Sequence, residues 1–178
     1  MLKGSFDFLG LNYYTGNYAA NLPFRNAKQP SYSTDSLANL TAERNGIPIG
    51  RPAASDWLHF YPQGFIEILL YTKKKYKNPV IYITENGWDD RDDPKLSLEE
   101  ALADNQRIEY YNSHLYELHK AIKGGVKVKG YFAWSLFDNF EWADGYSCRF
   151  GLNFVDYKNG LKRHPKLFAA WFKAFLRK

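Results

Sequence analysis

The sequence has little with which to staple itself or hold a metal. One cysteine, Cys148, excludes an intrachain disulfide and any cysteine-based zinc site. Four dispersed histidines, none at ligand spacing from another, give no metal motif either. No apolar run approaches the roughly 20 residues that span a bilayer, and "MLKGSFDF" lacks the apolar segment of a signal peptide. A soluble chain with no membrane partner is expected. The net charge is +5, but its lysines and arginines are spread through "KKK" at Lys73 to Lys75, "KGGVKVK" and the final turn. No basic stripe is interleaved with base-stacking aromatics, which argues against a nucleic-acid partner. "NLT" at Asn39 fits an N-glycosylation acceptor in a polar loop.

What the chain does have is aromatic mass. Eighteen per cent of its 178 residues are Phe, Tyr or Trp, within a hydrophobic share of 45%. That is enough apolar surface for one globular domain over residues 1–178. Aromatic faces stack on the C–H surfaces of sugars, and they also fill ordinary cores. Composition alone leaves both uses open.

Short β-branched and aromatic runs at Ser5–Tyr14, Pro79–Glu85 and Lys127–Leu136 show little polar alternation, as in strands covered on both faces. Helical patterns separate them: Pro62 to about Tyr76, Ser97 to about Lys123, and Pro165 to Lys178. The second opens on "SLEE", where Ser97 and Glu100 match a capping box, and closes at Gly124-Gly125. The alternation of strand and helix predicts an α/β fold with a parallel sheet. A polar insertion from Thr15 to about Asp56 follows the first strand, and "YSCRFGLNFVDY" reads as a hairpin or two short strands after the third. Three strand-helix units fall short of a closed eight-stranded barrel and leave two open edges that invite association.

Three features fall at the carboxyl ends of the strands, where parallel α/β folds gather their catalytic groups: "NYY" at Asn12–Tyr14, "TENG" at Thr84–Gly87 and "WSLFDNFEW" at Trp134–Trp142. Glu85 closes an apolar strand, with Tyr14 able to orient its carboxylate. Such a group can be a nucleophile, a base or a ligand. It can equally be a helix cap or a salt-bridged acid before the Asn86-Gly87 turn. Trp134, Glu141 and Trp142 offer stacking faces, an N–H donor and a carboxylate that together suit a pyranose ring, or simply bury bulk.

The set "FDFLGLNYYT", "PVIYITENG", "GYFAWSLFDNFEW" and "RFGLNFVDY", in this order and with these gaps, resembles the C-terminal portion of a glycoside hydrolase family 1 enzyme. "SFDFLGLNYYT", "ASDWLHFYPQG" and "LKRHPKL" resemble its plant β-glucosidase branch, which includes cyanogenic and other defence-glucoside hydrolases. The resemblance implies strands six to eight of a (β/α)₈ TIM barrel and retaining hydrolysis of β-glucosides. It implies Glu85 as nucleophile and Tyr14 as the hydroxyl that orients it. In the glucose pocket it implies Asn12 as a lining residue, Trp134 as the platform, Glu141 as acceptor for sugar hydroxyls, Trp142 as donor and Phe150 as the closing wall. Trp57 becomes part of the aglycone slot. No cofactor is implied, since water is the only co-reactant, and the compartment is open among secretory, vacuolar and plastidial.

A retaining glycosidase needs a second carboxyl group about 5 to 5.5 Å from the first, as acid and base. Family 1 enzymes carry it in an Asn-Glu-Pro motif well upstream, and no such tripeptide occurs here. The expected partners are therefore a β-glucoside together with the N-terminal half of the barrel, or a second copy that covers the open edges. The alternative function is a truncated, non-catalytic chain with at most weak sugar binding.

Overall fold

A computed structural model describes residues 4–22, 31–32 and 34–177. Strand β1 (Leu9–Asn12) occupies the middle of the first apolar run. The polar insertion that follows, of which residues 23–30 and 33 lie outside the described residues, contains two hairpins. In the first, β2 (Tyr18–Asn21) pairs antiparallel with β3 (Ala38–Thr41). In the second, β4 (Glu43–Arg44) pairs with β5 (Ile47–Pro48). That hairpin turns on Asn45 and Gly46 at φ of 55° and 74°, the two left-handed residues a tight type I′ turn requires. Asn39 is exposed on β3, not in a loop.

Helix α1 (Pro62–Lys75) opens on proline, whose missing N–H would have been unpaired there anyway. Phe65, Leu69 and Thr72 form its buried stripe, and Lys77 and Asn78 then turn left-handed to end it. Strand β6 (Ile81–Glu85) and the short β7 (Asp90–Arg91) come next. The single helix expected over residues 97–123 is two, α2 (Leu98–Leu102) and α3 (Asn105–Lys123). Ser97 and Glu100 do form the capping box: Ser97 N donates to Glu100 Oε2 at 2.8 Å and Glu100 N to Ser97 Oγ at 3.3 Å. The break falls at Asp104. Its buried carboxylate accepts from Arg107 Nε and from the Phe168 amide, both at 2.8 Å, and the backbone leaves helical geometry to deliver it.

The third apolar run is strand only over β8 (Val128–Tyr131); beyond it the chain crosses towards Asn153, which Phe137 bridges. Strand β9 (Cys148–Arg149) pairs with β7, and β10 (Asn153–Asp156) with β11 (Lys162–Pro165). "YSCRFGLNFVDY" is thus two short strands with separate partners. Pro165 ends β11 instead of opening the last helix, which begins at Leu167 as α4 (Leu167–Phe175). Lys178, in the expected helix, lies outside the described residues. The α4 N-terminus has no cap of its own; Asp104 supplies the acceptor from α3's start.

The main sheet is parallel, in the order β1-β6-β8. Its helix-facing side carries Leu9, Leu11, Tyr13, Ile81, Ile83 and Val128 against Phe65 and Leu69 of α1 and Leu118 and Ala121 of α3. Each large side chain buried there contributes about 1.5–3 kcal/mol. The opposite face is open. Phe8 and Phe132 on that side are 51% and 58% exposed, and Tyr82 lies across β8 where any side chain on Gly130 would meet its ring. Among the described residues β1 and β8 each keep an unpaired edge.

The buried stripe of α3 is Arg107, Tyr110, Tyr111, His114, Leu118 and Ala121, with a cation and an imidazole among its members. His114 stacks on Tyr110 at 3.7 Å among Tyr13, Phe60 and Phe65. Its Nδ1 lies 2.7 Å from the Tyr110 carbonyl, while Nε2 has no partner. Burial lowers its pKa from 6.5 to about 4, against a smaller upward pull from that carbonyl. The unfolded chain therefore binds this proton first. Its contribution to stability is complete above pH 6.5 and is lost as pH falls from 6.5 to 4, a total of about 3 kcal/mol. Between pH 7 and pH 4.5, the melting temperature of His114→Phe is expected to fall less than the parent's; parallel falls would contradict this.

Candidate active site

The ladder of β1 and β6 shifts register after Leu11, which brings Asn12 opposite Glu85. The Tyr14 hydroxyl donates to Glu85 Oε2 at 2.7 Å, and Thr84 Oγ1 donates to Asn12 Oδ1 at 2.6 Å. Burial, and then the bond to Glu85, push the Tyr14 pKa well above the usual 10, so the phenol keeps its proton and donates it. No ion pair involves Glu85 among the described residues, and the next helix begins only at Leu98. Neither the salt-bridge nor the cap reading of this carboxylate holds.

Past the end of β8, Trp134 Nε1 donates to Glu141 Oε1 at 3.3 Å. Glu141 is buried, and burial raises its pKa against the lowering effect of donors from Trp134 and Asn139. Phe150, also buried, meets Tyr14 edge-on at 5.9 Å and stacks with Trp57 at 6.4 Å; Trp57 in turn meets Tyr14 edge-on at 5.5 Å. Gly87 joins the two groups. A β-carbon there would lie 2.4 Å from the Trp134 carbonyl and 3.2 Å from both Tyr14 and Phe150, so the turn after Glu85 has room only for glycine. Trp142 stands apart: it opens a short 3₁₀ turn at φ 49° and its side chain is exposed.

Sequence reading missed Asn86. Its Nδ2 donates to the Tyr13 carbonyl at 2.7 Å and to Tyr110 Oη at 3.0 Å, and its Oδ1 accepts from Tyr131 at 2.7 Å. The Asn86 carbonyl accepts from Tyr111 and from the Trp134 amide, both at 2.8 Å. "NG" signals a turn and nothing in the local sequence marks its partners. A cavity of about 540 Å³ lies elsewhere, beside β7 and α2, where Arg149 pairs with Asp92. None of the rim residues Tyr14, Trp57, Glu85, Trp134, Glu141 and Phe150 lines it. Among the described residues no group of three or more His, Cys, Asp or Glu side chains could hold a metal ion.

A rim of carboxylates and aromatics at parallel strand ends has close counterparts. The pattern of glycosyl hydrolase family 1 matches residues 1–178. The chain belongs to this family. Rice (Oryza sativa) β-glucosidase 12 is 62% identical over 178 residues, covering all of this chain and 35% of that protein. The crystal structure of the rice β-glucosidase Os3BGlu6 matches with a TM-score of 0.91 at 46% identity, over 96% of this chain and 36% of that one. A mutant of the same rice enzyme, solved in a covalent complex with glucose, matches with a TM-score of 0.87 at 45% identity, over the same shares. The chain thus spans about a third of the length of the family 1 relatives it matches. Its open sheet corresponds to the last three strand-helix units, strands six to eight, of their (β/α)₈ barrels.

Proposed function

We propose that the chain carries the nucleophile part of a retaining β-glucosidase, and the observation that supports this most directly is the Tyr14–Glu85 bond at the rim of the sheet. One Glu85 oxygen attacks the anomeric carbon while the bond from that carbon to the aglycone oxygen breaks. The departing oxygen takes a proton from the acid. Water then attacks the same carbon, the base removes its proton, and the bond to Glu85 breaks with net retention. Tyr14 holds the carboxylate in line, Asn12 lines the pocket beside it, Trp134 lies under the ring and Glu141 accepts from its hydroxyls. Phe150 closes the pocket, Trp142 offers its exposed indole N–H as a donor, and Trp57 faces the aglycone. A relative caught in covalent complex with glucose is consistent with this chemistry.

The proton donor comes from the N-terminal part of the barrel, whose strands would pair with the free edges of β1 and β8 and cover Phe8 and Phe132. Lacking that carboxyl, the chain by itself forfeits about 10² to 10⁴ in rate from acid–base assistance alone. The test is co-refolding with the N-terminal portion of rice β-glucosidase 12 and assay on an aryl β-glucoside. Activity is expected in the mixture and in neither piece alone, with β-glucose as first product. An inactive mixture that elutes as one assembled species overturns the reading, and elution of this chain as its own dimer favours self-association instead.

A further inference from the structure

Among the described residues the Glu85 side chain makes one hydrogen bond, to Tyr14, yet a nucleophile must be held to a fraction of an ångström. We propose that Asn86 is the positioning residue for Glu85, clamping the ends of β1, β6 and β8 together with Tyr110, Tyr111 and Tyr131 as its supports. This rests on the nucleophile reading of Glu85 given above.

The contacts close a ring. Asn86 Nδ2 donates to Tyr110 Oη, and Tyr110 donates to the Tyr14 carbonyl at 2.7 Å. Tyr14 donates to Glu85, which is covalently joined to Asn86. A second tie runs from Asn86 Nδ2 to the Tyr13 carbonyl, while the Tyr13 amide donates to the Glu85 carbonyl at 2.9 Å. The third reaches the sugar platform: Tyr111 donates to both the Asn86 carbonyl and the Trp134 carbonyl, the latter at 3.1 Å. The same residue thereby sets where Glu85 and Trp134 stand relative to one another.

The amide is the group this site needs. Asn86 is fully buried, and its two donors and its acceptor each find a partner. A carboxylate would set an oxygen against the Tyr13 carbonyl, and an apolar side chain would take the donor from that carbonyl and from Tyr110 Oη and the acceptor from the Tyr131 hydroxyl. Burial raises the pKa of Tyr110, Tyr111 and Tyr131 above 10, so all three stay protonated.

The test treats the chain, assembled with the N-terminal portion of rice β-glucosidase 12, with 2-deoxy-2-fluoro-β-D-glucosyl fluoride, whose fluoride leaves without help from an acid, and follows the adduct by intact mass and peptide mapping. The parent is expected to gain one fluoroglucosyl group on Glu85. Asn86→Ala, held well below its melting temperature, is expected to label about 10²-fold more slowly, the cost of a misplaced reacting group. Leu118→Ala, which hollows the core away from the rim, melts lower but labels at the parent rate. A second readout is hydrogen exchange: the Tyr13 and Trp134 amides should exchange at least about tenfold faster in Asn86→Ala, with the middle of α3 unchanged. Labelling at the parent rate, or unchanged exchange at those two amides, overturns the proposal. A parent that takes no label while Asn86→Ala shows this exchange pattern sinks the nucleophile reading and leaves the clamp standing.

Discussion

The Glu85→Gln chain, assembled with an N-terminal partner, is expected to hydrolyse an aryl β-glucoside at least about 10⁴-fold more slowly than the parent assembly, the scale of loss when a nucleophile is removed from a catalytic unit. Glutamine preserves shape and can still meet the Tyr14 hydroxyl, so the rim geometry and the fold survive. What disappears is an anionic oxygen able to bond the anomeric carbon. The amide is a poor nucleophile and cannot balance the positive charge that develops on the sugar ring. Truncation to Glu85→Ala sharpens the test, because it opens space on the same face of the sugar. Added azide should enter there, displace the aglycone once, and give an α-glucosyl azide, the opposite anomer from the natural product. Undiminished hydrolysis by Glu85→Gln, or a β-configured azide, would falsify the role. Tyr14→Phe belongs to the same series with a smaller loss, since it removes one charge-assisted hydrogen bond and leaves the attacking oxygen in place.

What could be read from the sequence was local. Ser97 and Glu100 meet within one turn, Gly125 stops a helix by turning left-handed at φ 82°, and three apolar runs each imply a strand. The rim residues were legible because strand ends carry chemistry in this architecture, and Asn12, Tyr14 and Glu85 do come together. Illegible features depend on partners distant in sequence. The break before α3 exists because Asp104 reaches Phe168, and Pro165 was misread because a proline fits a strand edge as well as a first helical turn. Asn86 reads as half of an Asn-Gly turn until Tyr110, Tyr111 and Tyr131 are seen around it. The polar residues on the inner stripe of α3 obey the helical period but defy the apolar pattern by which that period is recognised.

Arg107 is the extreme case, and its removal is expected to be the most damaging single change to the fold. The side chain is fully buried and spends its guanidinium on five acceptors. Nε meets Asp104, one terminal nitrogen meets the Trp88 and Phe150 carbonyls, and the other meets Asp90 and the Arg149 carbonyl. Burial alone would lower its pKa, but Asp90 and Asp104 hold it above the ordinary guanidinium value, so the charge is permanent. Arg107→Ala leaves the buried Asp104 without its counter-charge and takes a donor from three interior carbonyls, and breaking a buried charge network in this way costs about 3–5 kcal/mol. For a chain of this size that is a fall in melting temperature of roughly 10 °C. Arg107→Lys should recover little, because an ammonium offers three donors from a point and cannot reproduce the planar fork. The segments it joins are the turn after Glu85, the strand leading to Phe150 and the start of α3. Loss of Arg107 should therefore also loosen the rim, seen as faster exchange at the Trp134 amide at temperatures where α1 is still protected. A variant that melts within a degree or two of the parent would mean that the interior is wet enough to solvate Asp104, and that the five contacts contribute little to holding the rim in place.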